Sequence, residues 1–476
     1  MLFDKTGNSN NETKKLKEKL FRTPKIVWDL LKEDEKEKIM SFAEGYKNFL
    51  NRGKTEREAA LEIVNFARQK GFHSMDENPV GDKIFFIYRN KIVALAILGQ
   101  KPMVEGFNMI VSHIDSPRLD LKQNPLYEDV NLGLLKTHYY GGIKKYQWVN
   151  RPLALHGKVI KTDGSEIVLR LGEEENDPVF AVSDLLVHLW RKSQATKKAD
   201  EAVEGENLNI IAGSIPFHRD KDADQRFKLA LLDLLYQKYG VTEEDFMSAE
   251  LEAVPAEKAS DLGLDRSMIG GYGHDDKSCA YAAMCAIGDM DPSEKNILCL
   301  FMDKEEIGSD GNTGSHSRFV EYVIANLLKI KGIHDEGILR LALAHSKCIS
   351  ADVNSAVNPD WQNLFDKRNA AKIGEGICIT KYTGCGGKYG SNDANAEFVA
   401  KIRKVFNEKN ITWQTGEIGK VDEGGGGTVA KFMAWYGMDV IDAGVPVLGM
   451  HSPFEIISKA DIYMTYRAYS AFLESI

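Results

Sequence analysis

The apolar run Asn296-Ile-Leu-Cys-Leu-Phe-Met302 is followed by Asp303-Lys304-Glu305-Glu306-Ile307-Gly308-Ser309. A short, wholly apolar run reads as a strand buried on both faces of a parallel sheet. In open α/β sheets, ligands bind where such strands end. Adjacent side chains at a strand end point in different directions, so one carboxylate of the pair can ligate a metal while its neighbour faces a reacting water. An isolated Glu-Glu pair is more often a solvated acidic turn, and the rest of the chain shifts those odds.

Three other segments repeat the pattern. Phe107-Asn-Met-Ile-Val-Ser-His113-Ile-Asp115 ends in a histidine and an aspartate, and Lys347-Cys-Ile-Ser-Ala-Asp352 ends in an aspartate. Val445-Pro-Val-Leu-Gly-Met-His451 ends in a histidine before a helix-breaking Ser-Pro. A further segment, Gly270-Gly-Tyr-Gly-His-Asp275-Asp276, runs from a flexible glycine loop into the helical pattern Ala280–Ile287. A lone strand-end histidine is more often structural than a ligand. Together these segments place two histidines and several carboxylates on the same edge of one sheet, a donor set suited to two borderline-hard divalent cations.

The elements that must carry these residues can be read from periodicity. Leu16–Leu20 and Phe42–Leu50 have apolar residues at helical spacing, and Thr55-Glu-Arg-Glu58 resembles a capping box before the helical Ala59–Phe66. Residues 84–99 and 107–112 read as strands. From about residue 121 the pattern changes: Val149–Ile160 and Glu166–Leu171 alternate like antiparallel strands, and the charged stretch Lys192–Glu206 reads as a mobile loop or linker. The α/β pattern returns near residue 250. We therefore expect an α/β fold, a mixed sheet flanked by helices. Residues 1–120 and 251–476 would form one discontinuous domain, and 121–250 an inserted, mainly β domain.

Composition bounds the partners. At 476 residues the chain exceeds what one hydrophobic core usually supports. Its net charge of -9 argues against nucleic acid or an anionic membrane as the main partner. It has no 18-residue apolar window, and its first residues lack the apolar core of a secretory signal. The six cysteines include no Cys-x-x-Cys pair and several lie in apolar runs, which suits reduced thiols and a cytoplasmic location.

The segments Ser112-His113-Ile-Asp115-Ser-Pro-Arg118, Asp275-Asp276, Glu305-Glu306-Ile-Gly-Ser309, Ser350-Ala-Asp352 through Pro359, and Gly449-Met-His451-Ser-Pro-Phe-Glu455 resemble, in order and spacing, the aspartyl-aminopeptidase-type metallopeptidases. These are relatives of vacuolar aminopeptidase I, and the nearer similarity is to the bacterial branch. The resemblance implies a metal-dependent aminopeptidase with two divalent ions, zinc first and manganese or cobalt as alternatives. His113 and Asp352 would hold one ion, His451 and Glu306 the other, and Asp275 would bridge them. Glu305 would be the general base and Asp115 would orient His113. Ions about 3.5–4 Å apart can share a hydroxide and polarise the scissile carbonyl, and Glu305 would pass the water proton to the leaving amine. The resemblance also implies that the insert makes subunit contacts in a tetrahedral homo-oligomer of twelve chains acting on peptides.

Two family features are altered. Eukaryotic relatives in the family place a histidine that reaches a neighbouring active site where this chain has Tyr146, within Tyr140-Gly141-Gly142 to Arg151. Lys381 stands where a lysine would pair with an acidic substrate side chain, so removal of amino-terminal Asp or Glu is an expectation. Glu423-Gly-Gly-Gly-Gly-Thr428 lacks the residues of a phosphate loop, and we read it, with Gly426, as a tight turn near the substrate. His274 is weighed as a neighbour of the metal ligands, and His316 and His345 as structural or solvent-facing. A related amide hydrolase, either deacylase or carboxypeptidase, is the alternative enzyme. A non-catalytic oligomeric scaffold would have lost a ligand or the base, whereas Glu305, Glu306 and both histidines are present.

Overall fold

The computed structural model describes residues 9–77 and 81–476. The opening residues 1–8, read above as lacking a signal core, lie outside them. The described residues form a mixed α/β fold on three sheets of nine, seven and five strands. In the nine-stranded sheet, Ile297–Met302 lies between Ile92–Ile97, to which it is antiparallel, and Asn108–His113, to which it is parallel. Lys347–Ser350 adds in parallel on the far side of Asn108–His113. Every residue of the two central strands is buried.

The alternation of the pleat explains why these runs are apolar throughout. Ile110, Cys299, Phe301 and Ile349 face one core, with Met284 and Phe472 from the helices His274–Gly288 and Lys459–Ser475. Met109, Val111, Leu298, Leu300 and Cys348 face the other, with Val323 and Leu327 from the helix Phe319–Ile330. The capping box is present: Thr55 accepts from the Glu58 amide, the Glu58 side chain returns to the Thr55 amide, and the helix runs Glu56–Gln69.

The seven-stranded sheet is antiparallel and is built from Arg118 to Pro255. It includes the two strands expected from alternation, Leu153–Ile160 and Glu166–Leu171, paired antiparallel. The stretch 192–206 is not the featureless linker expected. Short helices Val187–Ser193 and Ala199–Ala202 and a turn at Gly205–Asn207 occupy it, and Lys197 pairs with Glu204 at 2.9 Å. Its charged residues solvate the outer face of these short elements while the backbone stays hydrogen-bonded.

One expectation about the site is corrected here. His451 does not come from the edge that carries His113. Its strand, Pro446–Leu448, belongs to the five-stranded sheet, paired with Glu455–Ser458 and Asn354–Ser355. The apolar run resembled a central strand because it is buried beneath the same core, not because it joins the large sheet.

Candidate metal centre

Three parallel neighbours deliver four of the residues. Met302 pairs with His113 across the sheet, so the turn carrying Glu305 and Glu306 begins beside His113. Asp352 follows the adjacent strand Lys347–Ser350. Asp275 enters from the mouth of the helix His274–Gly288, with extended backbone (φ -80°, ψ 110°). His451 follows the small-sheet strand with φ 64°, a conformation that costs a non-glycine residue energy unless its surroundings hold it. Glu455 does so, accepting the His451 amide at 2.7 Å and the Asp275 amide at 3.0 Å.

The side chains converge on Asp275. His113 Nε2 lies 3.2 Å from Asp275 Oδ1. His451 Nε2 lies 3.3 Å from Asp275 Oδ2 and 3.3 Å from Glu306 Oε2. Asp275 is common to two clusters, His113–Asp275–Glu306 and Asp275–Asp276–Asp352, each with its ligand atoms within 4.8 Å of one another. Behind them Asp115 faces His113 Nδ1 at 3.2 Å and accepts the backbone amides of Glu305 and Glu306, both at 3.2 Å. One buried carboxylate thus fixes an imidazole and the turn that bears the adjacent glutamates. Lys277, fully buried, donates to Ser116 at 2.7 Å, and Ser116 donates to the Asp275 carbonyl at 2.8 Å.

The electrostatics are those of crowded acid. Burial pushes Glu305 up to about 7, with the Asp115 and Asp275 charges adding to it against the opposing His113. Burial and Asp275 likewise push Glu455 up to about 8, and burial with neighbouring carboxylates raises Glu306 and Asp352. Burial works against the histidines' charge, yet contact with Asp275 and the Glu306 charge push His451 up to about 10. Asp115 and Asp275 raise His113 in the same way. Both Asp276 oxygens and Glu306 Oε1 are buried with no hydrogen-bond partner among the described residues.

Asp275, Glu305, Glu306, Asp352 and His451 line a cavity of about 380 Å³, closed on the far side by Gly425–Thr428, Lys431 and Phe432. Gly426 therefore lines that wall. Lys381 does not: it is half exposed and held by Asp393 at 2.5 Å, with Lys388 on the same carboxylate at 2.9 Å, and it is absent from the cavity wall. Tyr146 is half exposed on a short turn and also lies off that wall. His274 faces away, bonded to the Tyr46 hydroxyl at 2.7 Å and the Ile269 carbonyl at 3.2 Å. His316 pairs with Asp310, and His345 with the Val104 carbonyl.

Four contributors escaped the sequence reading as site residues. Asp276 and Glu455 stood inside quoted motifs, and their adjacency to a ligand was the available signal. Tyr140, whose hydroxyl donates to Asp115 at 2.8 Å, and Lys431 had none, because their roles depend on tertiary placement.

The sequence model of the family described as Aminopeptidase I zinc metalloprotease (M18) matches residues 49–473. The chain belongs to the M18 family. A probable M18 family aminopeptidase 1 of Clostridium acetobutylicum is 47% identical over 463 residues, 96% of this chain and 99% of that one. The crystal structure of the M18 aminopeptidase from Thermotoga maritima matches with a TM-score of 0.92 and 46% identity, covering 96% of this chain and all of that chain. The S. cerevisiae mApe1 dodecamer shares the fold, with a TM-score of 0.73 at 20% identity over 91% of this chain and 96% of that chain.

This M18 chain is accordingly a hydrolase acting on peptides, in a family of zinc enzymes. Its donor set suits that metal, since zinc takes imidazole nitrogen and carboxylate oxygen. The unpartnered oxygens of Asp276 and Glu306 are of the acceptor type a cation would satisfy. Among the described residues no helix is long and apolar enough to cross a membrane.

Proposed function

We propose that this enzyme removes amino-terminal residues from peptides at a centre of two divalent ions, zinc first and manganese or cobalt as alternatives. His113 and Asp352 would hold one ion, His451 and Glu306 the other, and Asp275 would serve both. The observation that carries this reading is the single Asp275 carboxylate with an imidazole nitrogen at each oxygen, 3.2 and 3.3 Å away. The chemistry supplied by such ions is acidification of water and polarisation of a carbonyl oxygen.

Glu305 takes the proton of the attacking water as its oxygen bonds to the scissile carbonyl carbon. When the C–N bond breaks, Glu305 returns that proton to the departing amine. Asp115 keeps Nδ1 of His113 engaged and holds the Glu305 and Glu306 amides, so base and ligands move as one body. The free substrate amine would seat among the carboxylates and restrict the enzyme to chain ends.

A preference for Asp or Glu at the amino terminus is the finer reading. Lys431 supports it, as a lysine on the cavity wall beside the Gly425–Thr428 turn. Lys381 shares the Asp393 carboxylate with Lys388 and stands off that wall. We also propose that residues 121–250 form an inserted domain making subunit contacts in a tetrahedral dodecamer, since S. cerevisiae mApe1 of this fold is a dodecamer. The six free cysteines favour a cytoplasmic location. A panel of aminoacyl-arylamides assayed with zinc, manganese or cobalt tests the activity. Failure of every amino-terminal substrate to turn over with any of the metals would reject it.

A further inference from the structure

Two residues beyond Tyr140 the same strand end meets the other histidine. Tyr140 closes the strand Leu132–Tyr140 of the seven-stranded sheet. Its hydroxyl donates to Asp115 Oδ2 at 2.8 Å, and Asp115 meets His113 Nδ1 with its own carbonyl at 3.1 Å and with Oδ1 at 3.2 Å. The Gly142 carbonyl then accepts from His451 Nδ1 at 3.0 Å. Each contact leaves the opposite ring nitrogen, Nε2, facing Asp275. A hydrogen bond at Nδ1 fixes the tautomer, so both rings offer the Nε2 lone pair.

We propose that Tyr140-Gly141-Gly142 is a positioning strap that orients both imidazoles of the metal centre. It acts through Asp115 on His113 and through the Gly142 carbonyl on His451. The inference rests on the reading of those two histidines as ligands.

The strap is itself held rigid. Tyr140 pairs in register with Arg118 on the neighbouring strand, and the Arg118 guanidinium lies 4.0 Å over its ring. Arg118 is clasped by Glu56 at 3.2 Å, Asp120 at 2.8 Å and Glu252 at 3.2 Å. Gly141 has φ +74°, and a Cβ there would sit 3.3 Å from both Glu306 Cβ and Pro117 Cγ. Only glycine brings the chain this close to the Glu306 turn without strain. The strap reaches the centre from the second sheet, whereas the candidate ligands lie outside it, so the set of the second sheet governs how well the ligands are aimed.

The test uses the full-length enzyme loaded with zinc and freed of excess metal by gel filtration. Zinc loss to an excess of a chromogenic chelator is timed, and kcat and KM are measured on an aminoacyl-arylamide. Tyr140→Phe keeps the ring under Arg118 and removes only the hydroxyl. It should release zinc about 10–100-fold faster and lower kcat with KM near wild type, while circular dichroism and the melting profile stay close to wild type. Its cobalt-loaded form should have an altered d–d absorption band, a readout that loss of packing elsewhere does not move. Gly141→Ala, which displaces the Gly142 carbonyl, should also speed zinc release. Wild-type zinc retention, kcat and cobalt spectrum in Tyr140→Phe would overturn the proposal. His113→Ala separates the two ideas: if it holds zinc like wild type, the ligand assignment has failed rather than the strap.

Discussion

His113 Nε2 stands 3.2 Å from Asp275 Oδ1, although 162 residues separate them in the chain. With His451 at the other oxygen, this contact makes Asp275 the hub of the centre. Asp275→Asn keeps the shape but replaces one anionic oxygen by a donor. It should therefore lose both ions, together with activity. His113→Ala and His451→Ala should each weaken chiefly one. Metal analysis after gel filtration decides the matter, and two equivalents retained in Asp275→Asn would reject the shared role.

Glu305 separates from the ligands by a different signature. Glu305→Gln retains size and hydrogen bonding but cannot accept the water proton. Turnover should fall by on the order of 10²–10⁴, with metal content near wild type. Wild-type turnover in this variant would show that the base lies elsewhere.

The parts of this site that were legible in the sequence are those whose chemistry and chain context coincide. His113, Glu305 and Asp352 follow buried runs, and a run buried on both faces of a central sheet has a recognisable composition. His451 was found by the same rule although its strand joins another sheet, because burial leaves the same mark whichever partner covers the strand. The capping box at Thr55 was legible because it is wholly local. Tyr140 and the Gly142 carbonyl were not, since a hydrogen bond to Asp115 or His451 leaves no trace in spacing. Lys381 misled because its partner Asp393 lies twelve residues on in a turn that periodicity does not describe.

Substrate choice should follow Lys431. If an acidic side chain meets that lysine, Lys431→Met should lower kcat/KM for an aspartyl-arylamide relative to a leucyl-arylamide on the order of tenfold, as expected for one charged contact. Lys381→Met should leave the ratio unchanged, because Lys381 lies off the cavity wall on the Asp393 carboxylate. An unaltered ratio in Lys431→Met would remove this lysine from recognition.

Glu56 should prove a stability residue rather than a site residue. It is fully buried between Lys91 at 3.0 Å and Arg118 at 3.2 Å. Glu56→Ala removes the anion shared by two cations, leaving Arg118 to Asp120 and Glu252 and Lys91 to Glu250, and loss of one partner of a buried pair costs up to about 3–5 kcal/mol. Burial alone would raise the Glu56 pKa, but Arg118 and Lys91 outweigh it and hold it below the ordinary value of 4.5. A depressed carboxylate contributes stability above its unfolded pKa and loses it as pH falls. The difference between wild type and Glu56→Ala in urea unfolding should therefore be full at neutral pH and shrink below about pH 4.5.

Assembly should bear on catalysis through the few aromatic residues of 139–151 that the chain leaves uncovered. Three of the large side chains of this segment are engaged within the chain. Trp148 is fully buried against Tyr272, Tyr140 lies under Arg118, and Arg151 pairs with Glu257 at 3.0 Å. Tyr139 and Tyr146 remain 41% and 50% exposed, which fits anchors awaiting a neighbour. If Tyr146 reaches an adjacent active site, Tyr146→Ala should reduce turnover and leave the metals bound. Light scattering of the wild type should give about 640 kDa for twelve chains of 53.2 kDa. Dissociated chains should lose activity in proportion to the loss of assembly. A monomer with full activity per chain, measured in the same fractions, would break the link between assembly and the chemistry.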